Sequence, residues 1–218
     1  MLEHISTLQI LGWLAYLACL YKIFHRLSFK LLKTDKKIQH LVFGCAASLF
    51  CLWLFRAGIY EGLNVHFLWL TALVLILGFR WAVVSSFIAL LGITIIGKES
   101  WAMFGVNGLL ANLVPLGLSY LIYTLAFHKL PRHFFIYVFV CAFLTGALMI
   151  GAKMSLLSGY YYLNGDYDWQ TIKDNYLVLS LLMLFMEGML NGMTMTLLII
   201  YKPQWVYTFY DKFNIDNK

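Results

Sequence analysis

The chain has 218 residues, of which 62% are hydrophobic and 12% charged, and its mean hydropathy is +0.78. Soluble domains hold roughly 45–50% apolar and about 25% charged residues, so an ordinary water-facing domain is excluded and an integral membrane protein is implied. The net charge of +6 comes with no patch of bases interleaved with aromatics, which argues against nucleic-acid binding and for contact with the lipid bilayer through anionic head groups.

A spanning helix needs about 20 mostly apolar residues to cross about 30 Å of hydrocarbon. In chain order the sequence predicts seven, over residues 5–24, 41–59, 65–79, 81–97, 107–127, 134–157 and 176–201, the third and fourth being short. The expected fold is therefore all-α, a polytopic helical bundle forming one transmembrane domain over 1–218, with brief loops and no Pro/Gly/Ser-rich linker. The residues ahead of the first apolar run include Glu3 and His4 but no Lys or Arg, so this run reads as a retained helix rather than a secretory signal.

Lys and Arg in short loops stay on the cytoplasmic side. With the N-terminus outside and the C-terminus in the cytoplasm, only Arg56, Lys98, Lys153 and Lys173 of the 16 basic residues fall outside, while Lys22, Arg26, Lys30, Lys33, Lys36 and Lys37 cluster inside after the first helix. The seven tryptophans fall mainly near predicted helix ends, as in an interfacial belt. Cys19, Cys45, Cys51 and Cys141 lie in apolar runs with no C-x-x-C pair, so neither a disulfide framework nor a zinc knuckle is indicated.

Enzyme signatures are missing. Gly92 to Glu99 nearly spells a phosphate-binding loop, G-x-x-x-x-G-K-[ST], but Glu99 stands where a hydroxyl residue would hold Mg²⁺. No H-E-x-x-H, G-x-S-x-G or paired membrane aspartates occur, and no catalytic residue is expected.

Polar groups inside spanning segments cost free energy unless they face the bundle interior, where they mark contacts or pathways. Glu187 and Asn191 lie one turn apart on one face of the last helix, beside a Gly188-x-x-x-Gly192 pair that permits close helix approach. They are read as an interhelical hydrogen-bonded stripe or part of an interior site. Asn107 and Asn112 are read as groups that fix a helix end or a neighbour, and Lys153 as a residue that snorkels to the outer boundary or pairs with a carboxylate such as Glu187. In the loop Tyr60-Glu-Gly-Leu-Asn-Val-His66, His66 beside Asn64 is placed to meet an ion from outside; imidazole ligates cobalt, nickel, copper or zinc.

The stretch Gly62-Leu-Asn-Val-His66, the two short helices after it and Phe104-Gly-Val-Asn107 resemble the CbiM family, the substrate-binding membrane components of energy-coupling-factor transporters for cobalt and nickel. The resemblance runs from about 40 to 207. It is nearer to a bacterial branch of membrane proteins sharing Leu130-Pro-Arg-His-Phe-Phe135, Glu187, Asn191-Gly192 and Tyr201-Lys-Pro-Gln-Trp205. It implies a multi-pass protein of the bacterial inner membrane, with Co²⁺ or Ni²⁺ as transported ligand and no permanently bound cofactor. It also implies cytoplasmic ATPase subunits and a coupling membrane subunit as partners. In the metal transporters of the family the ion is held by the terminal amine, a histidine directly after the initiator methionine and a later loop histidine. His66 matches the last; Met1 would supply the amine. Position 2, however, is Leu2, and the nearest histidine, His4, cannot form the same fused chelate rings. Metal ligands are therefore expected at His66, His4 and Met1, with Asn64, Asn107, Glu187 and Asn191 as supporting polar groups. The alternatives are a same-fold component for a non-metal solute and a non-transporting membrane assembly protein.

Overall fold

The computed structural model describes residues 5–131 and 133–209, and within them the protein is helical apart from loops and one isolated antiparallel bridge between Ala57 and Val65. The helices are α1 (Thr7–His25), a short α2 (Phe29–Thr34), α3 (Lys36–Leu54), α4 (Leu70–Ile95), α5 (Phe104–Lys129), α6 (Phe134–Asn164) and α7 (Trp169–Tyr201). All but α2 are long and apolar enough to cross a membrane. Starts follow side-chain chemistry. Ser6 and Gln9 form a reciprocal capping box ahead of α1, and the Asp35 and Asp168 carboxylates accept backbone N–H groups at the starts of α3 and α7.

Helix α4 is the centre of the bundle: 72% of its most apolar stretch is buried, against 17% for α1. That matches a sequence apolar on every side. Exposed Leu181, Leu182 and Phe185 on α7 present the lipid-facing kind of surface instead.

The expected third and fourth helices, 65–79 and 81–97, are joined in α4, which turns back on itself at Gly78. Run straight, 26 residues at 1.5 Å each would separate its ends by about 39 Å. Yet His66, just ahead of it, and Ile93, near its end, line one cavity. Gly78 has φ 73° and ψ 164°, a region open essentially to glycine alone, and a Cβ there would sit 2.9 Å from the Tyr207 ring. Counting the half-length helix 70–77 separately, the described residues hold seven apolar helical segments.

That half-helix begins five residues later than expected because residues 65–69 are not helical. Their apolar side chains imitate a helix in the sequence, but their backbone runs into the bundle as part of the loop 55–69. Backbone groups inside a bundle need partners, and both ends of the half-helix find them. At its start, the Leu68 and Trp69 N–H groups donate to the Glu187 carboxylate (2.9 and 2.6 Å), and the Ala72 N–H donates to Asn191 Oδ1 (2.8 Å). At its end, the Leu75 carbonyl accepts from the Thr208 N–H (3.2 Å) and hydroxyl (2.8 Å), and the Ile76 carbonyl accepts from the Tyr207 N–H (3.0 Å).

Trp53 and Trp69 depart from the interfacial belt. Trp53 is buried and donates its indole N–H to the Leu68 carbonyl (3.4 Å), while Trp69, in the left-handed region at φ 55°, donates its own to Thr194 (2.9 Å). Both anchor the inserted loop. Of the cysteines, Cys45 and Cys141 are buried, Cys19 half-buried and Cys51 exposed, and all four are free.

Candidate solute site

A cavity of about 20 Å³ lies where the loop 55–69 meets α3, α4, α5 and α6. That volume suits about one water molecule or one small ion. His66, Asn64 and Asn107 all line it, so the structure brings three of the expected residues together, along with Arg56, Glu99, Asn112 and Lys153.

The loop is held in shape by aromatic hydroxyls. Tyr161 donates to the Gly62 carbonyl (3.1 Å) and Tyr167 to the Glu61 carbonyl (2.8 Å). Gly62 has φ +82°, and a Cβ on it would lie 2.5 Å from the Tyr161 oxygen, so this turn needs glycine. His66 Nδ1 lies 2.9 Å from the Phe67 carbonyl. A carbonyl only accepts, so Nδ1 carries the proton and Nε2 keeps its lone pair. The ring tilts against Trp53 at 5.7 Å between centroids. Burial first, then the Lys153 charge, hold the imidazole well below its ordinary pKa, against the Phe67 hydrogen bond. His66 is therefore neutral at pH 7.

Asn107 and Asn112 enter from α5, whose residues 107–113 form a wider π turn in which the Val114 N–H bonds to the Leu109 carbonyl. Pro115 follows; it has no N–H to give to residue 111 and its ring would crowd that carbonyl, so a widened turn relieves the helix there. Asn107 Nδ2 donates to Glu99 Oε2 (3.0 Å) and Arg56 Nη1 to Glu99 Oε1, so both oxygens of Glu99 are engaged. Asn112, 4% exposed, leaves its Nδ2 without a partner among the described residues.

Lys153 does not snorkel: it is 2% exposed and lines the cavity. Helix α6 continues to Asn164 rather than ending at 157, which puts Lys153 about three turns from the helix end. Glu187 and Asn191 serve the inserted loop rather than the cavity. Asn191 Nδ2 donates to Glu187 Oε1 and to the Glu187 carbonyl, 2.8 Å each, which leaves the carboxylate fully engaged. Close helix approach makes room for the pair, since a Cβ on Gly146 of α6 would lie 2.8 Å from Asn191 Nδ2 and one on Gly188 2.9 Å from the Phe143 carbonyl. Met1 and His4 lie outside the described residues. Among the described residues no three His, Cys, Asp or Glu side chains group as a metal site would require.

Charge marked Arg56, Glu99 and Lys153 in the sequence, but nothing there joined three residues 43 and 54 positions apart into one wall. The near phosphate-loop motif was the one hint, because the Glu99 that spoils it is the carboxylate of this site.

The sequence model of the CbiM family, described as cobalt uptake substrate-specific transmembrane region, matches residues 6–205. The chain belongs to this family. Two crystal structures share its fold. One, described as a transition metal transporter, is 19% identical with a TM-score of 0.73, the match covering 87% of each chain. The other, described as a truncated transition metal transporter, is 20% identical with a TM-score of 0.70, covering 91% of this chain and 94% of that one. No protein of curated function matches the chain.

Proposed function

We propose that this CbiM-family protein is the substrate-capture membrane component of a cobalt or nickel uptake transporter of the energy-coupling-factor type. The cavity would face outward, an orientation that the distribution of Lys and Arg supports. The observation that carries the reading is His66: Nδ1 is committed to Phe67, which leaves Nε2 as a neutral donor on an ion-sized cavity. One imidazole is too few ligands by itself. Helix α1 starts at this end of the bundle, with Gln9 reaching Met103 and Trp13 donating to the Trp101 carbonyl, and His4 and the Met1 amine, which precede it in the sequence, are proposed as further ligands. Asn64 and Asn107 would orient the ion or its water. Cytoplasmic ATPase subunits and a coupling membrane subunit would drive release, pressing on the opposite end, where Arg26, Arg80 and Lys202 lie.

A second reading, a non-metal solute, is favoured by Arg56 and Lys153, two cations in the cavity wall. Calorimetric binding of Ni²⁺ and Co²⁺ to the detergent-solubilised protein with an untagged N-terminus separates the two. Metal capture predicts stoichiometric binding that His66→Ala abolishes and His4→Ala weakens about tenfold or more. Absence of binding by folded wild-type protein sinks metal capture and leaves the non-metal solute.

A further inference from the structure

Lys153 is the least expected member of the cavity. Its side chain is 2% exposed, it lines a space of about 20 Å³, and among the described residues it makes no hydrogen bond. An ammonium has three donors and no acceptor, and a buried charge without a partner is costly. Carboxylate oxygens nearby offer little relief. Glu99 is bound by Arg56 and Asn107, and Glu187 by Leu68, Trp69 and Asn191. The charges acting on Lys153 are attraction to Glu99, repulsion from Arg56 and attraction to Glu187, in that order. Asn112 adds a second unpartnered donor on the same wall. The cavity therefore contains a surplus of positive charge and of hydrogen-bond donors before any solute arrives.

We infer that the Lys153 ammonium is a resident cation of this cavity, competing with an incoming divalent ion for the field of Glu99 and so setting how tightly the site holds it. The inference rests on the metal-capture reading of the same cavity. A divalent ion on His66 Nε2 must share a space for one small ion with a fixed positive charge, where little water screens the repulsion. The lysine stem is flexible and the ammonium unbonded, so it withdraws when an ion enters and returns when the ion leaves. Affinity is thereby kept moderate, which suits a protein that must release what it captures.

The test is Ni²⁺ binding by calorimetry at one fixed pH for wild type, Lys153→Met, Lys153→Gln, Lys153→Arg and the double variant Lys153→Met/His66→Ala, with thermal unfolding checked for each. Loss of the charge in either neutral variant is expected to tighten binding at least tenfold. Lys153→Arg, which keeps the charge, should bind no more tightly than wild type, and the double variant should not bind. A purely structural lysine would not divide the variants by charge. Binding in the folded neutral variants equal to or weaker than a measurable wild-type affinity overturns the inference and leaves metal capture standing. Binding by Lys153→Met alongside none by wild type overturns both, since an ammonium that excludes the ion altogether does not tune its capture. No binding by any folded variant overturns both.

Discussion

Two polar constellations adjoin the loop 55–69, and they are built on opposite principles. Around Glu187 each carboxylate oxygen meets a backbone N–H, and Asn191 closes the network. Around Lys153 the donors outnumber the acceptors, and among the described residues both the ammonium and Asn112 Nδ2 lack hydrogen-bond partners. Within a membrane bundle a fully paired network stabilises one backbone arrangement, whereas unpaired groups facing a space are available to something that enters it. The first constellation reads as architecture and the second as a site, although the charged residue at the heart of each is almost fully buried.

The largest effect that could break this division comes from Glu187→Ala. It strands the Leu68 and Trp69 N–H groups, each costing about 1–3 kcal/mol when buried unpaired, and frees the inserted loop. Detergent-solubilised protein should lose most of its cooperative thermal transition. Glu187→Gln, which keeps the shape but turns an amide against one of the N–H groups, should be intermediate. If Glu187→Gln instead left the unfolding temperature unchanged and altered ion binding, Glu187 would belong with the site.

Gly78→Ala comes next. The residue forces a Cβ into a glycine-only conformation, costing about 1–3 kcal/mol, and sets it 2.9 Å from the Tyr207 ring, disturbing the segment that caps Leu75 and Ile76. The unfolding temperature should fall, with any remaining folded protein binding ions as wild type does, since the cavity lies at the other end of the half-helix. A change in affinity at unchanged stability would show that the two ends communicate.

The sequence disclosed these regions unequally, for physical reasons. The pairing of Glu187 with Asn191 follows from one-turn spacing, and the bend at 78–80 is announced by Gly78 and by Arg80 interrupting an apolar run. That the Glu187 stripe caps a half-helix from another part of the chain was hidden, because its partners are backbone N–H groups and those leave no mark in a sequence. Residues 65–69 misled because an apolar run carries no sign of whether its hydrogen bonds close within itself. Lys153 misled because a four-carbon stem reaches either way, and only the true length of α6 shows how deep its Cα lies.

The smallest effect sharpens the comparison most. An ordinary imidazole titrates near 6.5, whereas burial and the Lys153 charge hold His66 below that value in the folded protein. A group whose folded pKa is depressed stays neutral as pH falls through 6.5, while in the unfolded chain it takes up its proton there. Two consequences share one sign. His66-dependent Ni²⁺ binding, which needs the neutral ring, should persist at pH 6.5 and decline only below it, and folded stability should begin to fall as pH drops under about 6.5. Removing the second cause, in Lys153→Met, should move the midpoint of binding upward toward the ordinary value even as affinity at neutral pH rises. Tighter binding and an earlier acid loss in the same variant are hard to obtain from a repacked helix and follow directly from one charge removed beside one imidazole. A wild-type midpoint at 6.5, unmoved by Lys153→Met, would place the ammonium too far from His66 to act on it.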